Sequence, residues 1–171
     1  MSSLHIPPYD PLLVQPMRDE LTRIGFQELR TPDEVDGALG ATRETTLVVV
    51  NSVCGCAARN ARPAARLALQ HPKRPQRLLT AFAGQDAEAT ARVRSYFTGY
   101  PPSSPQIALF KGGKLVFMLE RRNIEGRPAP DIAADLTAAF ERFCGCGSGE
   151  ALYDATLYVG APTSPAYSVA S

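Results

Sequence analysis

The chain has 171 residues and a formal net charge of +1. That is long enough for one domain with a real core, and too weakly charged to draw in nucleic acid or an anionic membrane by bulk electrostatics. Apolar residues make up 44% and charged residues 20%, a balance that places the chain with globular rather than disordered proteins. No apolar run approaches the ~20 residues of a membrane helix. The opening "MSSLHIPPYDPLL" has no basic stretch ahead of an apolar core, which points to a cytoplasmic protein without a secretory leader.

Asp10 followed by Pro11 predicts a helix start, with Val14, Met17, Leu21 and Ile24 at helical spacing and Gly25 as the stop. Pro16 falls inside and predicts an irregular first turn. "TPDE" predicts a second helix opened by a capping box between Thr31 and Glu34 and ending near Leu39 and Gly40. "TTLVVVNSV" is short, continuous and β-branched, the pattern of a strand buried on both faces. A helix follows Cys56, with Pro63 inside it expected to remove a hydrogen bond and kink it. "RLLTAFAG" predicts the next strand, and Asp86 the cap of a helix burying Val93, Tyr96 and Phe97. "QIALFKGGKLVFMLE" reads as two strands joined at Gly112-Gly113, a two-residue hairpin. A closing helix is expected over about 131–143, burying Ile132, Leu136, Phe140 and Phe143. The domain is therefore set at 1–146, with 147–171 a Gly-, Ser-, Pro- and Ala-rich extension in which "LYDATLYV" could form a short strand or dock on a partner.

Helices alternating with strands imply parallel pairing, and the glycine turn forces the last pair antiparallel. The expected fold is α/β: a mixed central sheet flanked by helices, with a C-terminal hairpin and closing helix, in the thioredoxin-like arrangement. Two thiols, Cys54 and Cys56, stand where the central strand hands over to a helix. A cysteine there faces unpaired amide donors and the positive end of the helix dipole, which favour thiolate over thiol. Cys54 is expected to be the attacking sulfur and Cys56 the resolving one. Gly55 lets the backbone fold back to close the pair, and the small ring should be strained and easily reduced. Asn51, Gly55, Ser104 and Pro105 are expected to support the site, Ser104–Pro105 as an X-Pro bond that could be cis. Arg62 and Arg66, four residues apart, read either as attracting an anionic thiol ligand or as a solvated helix face.

A second Cys-Gly-Cys, Cys144 and Cys146, follows the closing helix, where the dipole gives no help. It reads as an auxiliary or regulatory redox pair, or as exposed or half-buried thiols without a role. The rival chemistry is a metal centre using all four thiolates, although zinc pairs typically leave two to four residues between their cysteines. His5 and His71 fall in loop or terminal positions and read as surface residues.

"NSVCGCAA" with "ARPAA", then "FAGQD", "FTG", "SSP" and "IEGR" before "LTAAF", resembles the bacilliredoxins in the same order from about Tyr9 to Cys144. The resemblance implies a thioredoxin-like thiol–disulfide oxidoreductase that removes bacillithiol from mixed disulfides on cytoplasmic proteins. The family's attacking cysteine falls on Cys54 and its second on Cys56. Bacillithiol is then the co-substrate, bacillithiolated proteins the partners, and no cofactor, metal, nucleic acid or membrane is called for. The chain departs from the family pattern at Arg59, where a glycine is usual, and at Asn123, where a histidine is usual. Arg59 puts a long cation beside the site and is a candidate ligand contact. A bacillithiol-independent disulfide isomerase or thiol oxidant is the alternative.

Overall fold

The computed structural model describes residues 8–145. Cys146, the extension at 147–171 and His5 lie outside the described residues. Five strands form one sheet in the order β1-β3-β2-β4-β5: β1 (Gln27–Glu28), β2 (Thr45–Asn51), β3 (Arg77–Phe82), β4 (Gln106–Lys111) and β5 (Lys114–Leu119). β3 runs parallel to β1 and β2, while β4 runs antiparallel to β2 and to β5. Gly112 and Gly113 both have positive φ, 58° and 77°, the backbone that a tight hairpin demands and that glycine adopts without penalty.

Helices cover both faces. α1 (Pro11–Thr22), α3 (Arg62–Ala68) and α6 (Ala129–Phe143) bury Leu21, Ala64, Ala65, Leu136 and Phe140 against Leu47, Val49, Ile107 and Leu109. α2 (Pro32–Leu39) and α4 (Ala87–Ser95) bury Val35, Leu39, Ala89 and Val93 against Val48, Val50, Leu79 and Ala81. Alternate β2 residues thus enter opposite cores, and every residue of β2 is buried, as its unbroken β-branched run requires.

The local signals hold at α2, where Thr31 accepts from the Glu34 N–H and the Glu34 carboxylate accepts from the Thr31 N–H in return. Asp10 likewise caps α1, accepting from the Leu12 N–H at 2.8 Å. Pro63 departs from expectation: the chain makes a π-helical turn over Ala57–Ala61 and begins α3 at Arg62, so the proline occupies the first turn of a new helix. The wider turn absorbs what would have been a lost bond inside a continuous helix. Asp86 occupies the cap position of α4 but makes no side-chain cap bond. Its carboxylate instead holds Arg18 at 2.8 and 3.1 Å.

Candidate active site

β2 ends at Asn51, and the next three residues carry the chain to Cys54 at the threshold of the π turn. The N–H groups of Ala57 and Ala58 bond back to the Cys54 carbonyl, both at 3.1 Å, so Cys54 opens the first turn. Its sulfur lies 2.7 Å from that of Cys56, 3.0 Å from the Ser52 hydroxyl and 3.4 Å from the Ala57 nitrogen. With Cys54 ionised, the Cys56 thiol, the Ser52 hydroxyl and the Ala57 N–H are all donors to it. Burial pushes the Cys54 thiol up, but the hydrogen bonds from Cys56, Ser52 and the backbone N–H groups of Ala57 and Cys56 outweigh it and leave Cys54 below the ordinary thiol value. Cys56 moves the other way: burial raises it, and the hydrogen bond and charge of Cys54 raise it further, against a lowering influence from Arg121. Two adjacent thiols are thus driven apart, Cys54 the more readily ionised and the better nucleophile, Cys56 the one that holds its proton.

The pair opens onto a groove of about 510 Å³ lined by Cys54, Gly55 and Cys56, by Arg59 and Asn60 of the π turn, and by Arg121 and residues 125–128. Asn60 donates to the Arg127 carbonyl and ties the two walls together. Arg121 begins α5 (Arg121–Ile124), a four-residue helix entered where the Asn123 side chain accepts from the Glu120 N–H at 3.0 Å. A readily ionised sulfur beside an open groove with arginine walls suits attack on the small, anionic half of a mixed disulfide.

The family described as "Disulphide isomerase" matches residues 9–144. A bacilliredoxin of Koribacter versatilis (strain Ellin345) is 55% identical over 141 residues, 82% of this chain and 97% of that one. One of Salinibacter ruber (strain DSM 13855 / M31) is 58% identical over 142 residues, 81% of this chain and 82% of that one. The chain belongs to the bacilliredoxin family. A solved structure described as having a thioredoxin fold aligns with a TM-score of 0.53 over 70% of this chain and 96% of that one, at 14% identity. The fold is thioredoxin-like, and the bacilliredoxin family membership makes the chain a thiol–disulfide oxidoreductase.

The structure brings together most of the expected bacilliredoxin site and rearranges part of it. The Ser104–Pro105 bond is cis. Because Val50 pairs with Gln106, this dipeptide runs beside the end of β2 from which the cysteine segment departs. Arg59 is exposed on the groove wall. Arg62 is neither a ligand contact nor part of a solvated face: it is 3% exposed, paired with Glu20 at 2.8 Å, and donates to the Asn51 side chain at 3.0 Å and the Ser52 carbonyl at 3.1 Å. Arg66 stays exposed and does not line the groove. Both arginines lie in α3 after the π turn, so helical phase does not separate them: Arg62 stands in the first turn within reach of Glu20, Asn51 and Ser52, and Arg66 one turn further on. Sequence reasoning overlooked Ser52, whose hydroxyl the bend after β2 brings to 3.0 Å from the Cys54 sulfur. It also overlooked Arg121 and Arg127, which reach the site through tertiary packing.

Asn51 is the hub beneath the cysteines. Its side chain donates to the Met17 carbonyl at 3.1 Å and accepts from the Ser52 N–H at 2.9 Å as well as from Arg62. We expect Arg62→Met to cost about 2–3 kcal/mol, because it takes the donor from the buried Ser52 carbonyl and one of the two donors from the Asn51 oxygen. It should also slow alkylation of Cys54, because Ser52 loses its anchor. Denaturant unfolding with a parallel alkylation rate checks this, and an unchanged midpoint would contradict it.

Cys144 sits at the end of α6, its N–H bonded to the Phe140 carbonyl at 2.8 Å. It is buried, and burial pushes its thiol up, with Thr45 beside it pulling the other way. Thr45 begins β2 and the Cys54 segment follows its end, so the two sites lie about 20 Å apart at ~3.3 Å per strand residue. At that separation Cys144 does not share an ion with Cys54, which corrects the four-thiolate metal reading; Cys146, the other half of the second pair, lies outside the described residues. The burial of Cys144 also corrects the expectation of an exposed or half-buried thiol.

Proposed function

We propose that the chain removes bacillithiol from mixed disulfides on cytoplasmic client proteins. One observation carries the reading: the low-lying Cys54 thiol faces a groove whose walls bear Arg59, Arg121 and Arg127, an environment for a small anionic thiol. The bacilliredoxin names of the relatives support it. The Cys54 thiolate attacks the sulfur of the cap, the client leaves as a thiolate, and the cap stays on Cys54 as a mixed disulfide. Cys56 or a free bacillithiol then displaces it. Every electron pair comes from a thiol, so the exchange as proposed uses bacillithiol as co-substrate and no bound metal or organic cofactor.

The test offers one client protein capped with bacillithiol, with glutathione or with a neutral thiol. The bacillithiol cap should leave at least about tenfold faster than the neutral one, the worth of a single charge-assisted hydrogen bond of about 1.5 kcal/mol. Arg59→Gly should narrow that margin. Equal rates on all caps, with equal activity on scrambled protein disulfides, would favour the bacillithiol-independent isomerase, the reading that the family's description as a disulphide isomerase supports.

A further inference from the structure

We propose that Arg121 is a positioning residue for the second half of the exchange: it turns Cys56 into the attacking thiolate once Cys54 has been capped. The inference rests on the two-cysteine route above and is independent of which small thiol forms the cap.

The geometry places Arg121 on the groove wall together with Cys54, Gly55 and Cys56. Its guanidinium is clamped by Glu125, which accepts from Nε at 3.0 Å and from Nη2 at 3.0 Å. A two-point clamp of this kind fixes the plane of the guanidinium and leaves Nη1 outside it. Four charged side chains line the groove around Cys56: Arg59 from the π turn, Arg121 and Glu125 at α5, and Arg127 beyond it. Glu125 is spent on Arg121, and Arg127 holds Asp135 at 2.7 Å. Cys54 is the remaining titratable neighbour.

Consider what capping changes. In the free enzyme the Cys54 thiolate, 2.7 Å from Cys56, holds the Cys56 proton in place by charge and by accepting its hydrogen bond. A capped Cys54 sulfur carries no charge and is a poor acceptor, so both restraints vanish together. Arg121 persists, and its charge favours the ionised form of Cys56. Cys56 then releases its proton to solvent and attacks the Cys54 sulfur. The Cys54–Cys56 bond forms, the bond from Cys54 to the cap breaks, and the cap departs with the electron pair as a thiolate and takes a proton from water. The enzyme dithiol is oxidised by two electrons and the cap is reduced by two. Cys56 is thereby kept from ionising, and from competing with Cys54, until a substrate half is bound.

The experiment uses the full chain with Cys54 capped by a neutral methylthio group, which removes any question of cap recognition. Release of methanethiol is followed against pH by rapid mixing and mass spectrometry. Arg121→Gln should move the release profile about one pH unit upward and slow release about tenfold at neutral pH, the low end of what one opposite charge does to a partly exposed thiol. Arg121→Lys should recover much of that shift. Arg121 is 46% exposed, so neither change opens the core. A profile in Arg121→Gln that keeps its midpoint, whether or not the rate falls, would overturn the proposal, and so would Arg121→Lys behaving as Arg121→Gln does. Failure of the bacillithiol preference alone would leave this result standing, because the probe carries no bacillithiol.

Discussion

Cys54→Ala abolishes turnover on any thiol-capped client, reducing it to the uncatalysed exchange rate, whereas Cys56→Ala keeps a route that depends on added free thiol. The asymmetry follows from the environment of the two sulfurs. Cys54 gathers donors from Ser52, Ala57 and Cys56 around one atom, and its thiol lies below the ordinary value despite burial. Cys56 is 8% exposed and its thiol is raised, so it offers neither access nor thiolate to an incoming disulfide. Release of a fluorescent client from its mixed disulfide checks both variants. Full activity in Cys54→Ala, or equal loss in the two variants with free thiol present, would move the nucleophile elsewhere.

Arg18→Met should cost about 3–5 kcal/mol of stability, or roughly 10 °C in melting temperature. Arg18 is 7% exposed and joins three elements: it reaches Glu28 of β1 at 2.6 Å and Asp86 at the start of α4 at 2.8 Å, and its guanidinium lies 5.0 Å from the centre of the Phe82 ring at the end of β3. Removing it leaves the Asp86 carboxylate, 13% exposed, without its cation, and the Glu28 carboxylate, 18% exposed, with Arg30 alone. The same network gives the protein an acid limit. Burial pushes the Glu28 carboxyl up, but the hydrogen bonds and charges of Arg30 and Arg18 prevail and hold it below its ordinary value near 4.5. Its stabilising contribution is therefore complete above that ordinary value and disappears as the pH falls through the depressed one. Melting temperature should drop on acidification below about pH 4.5, and Glu28→Gln should flatten that part of the curve. An Arg18→Met protein that melts with the parent at neutral pH would contradict the assignment.

The elements legible in the sequence are those whose signals are local. The "TPDE" box, the Gly112-Gly113 turn and the β-branched run of β2 each state a backbone geometry within a few residues, and each appears where it is expected. β1 is two residues long and exists through backbone pairing with Leu79 and Thr80, which leaves no periodicity to detect. α5 is one turn held by an asparagine side chain. The Cys54–Cys56 junction was readable because strand, thiols and helix are consecutive. The groove opposite was not: Arg121 and Arg127 arrive from beyond the hairpin, and nothing in "RRNIEGR" announces which arginine faces a sulfur. Arg62 was misplaced because its partners, Glu20 of α1 and Asn51 and Ser52 at the end of β2, come to it through tertiary packing that the spacing of two arginines does not reveal.

The central claim is that one sulfur, Cys54, gives up its proton more readily than an ordinary thiol while its neighbour holds on to its own. Alkylation of the reduced protein across pH, with each modified cysteine located by mass spectrometry, tests it most directly. Cys54 should be labelled first, with a midpoint below the ordinary thiol value of 9.0, and Cys56 only at higher pH. Labelling that begins at Cys56, or a Cys54 midpoint at or above that ordinary value, would contradict the account.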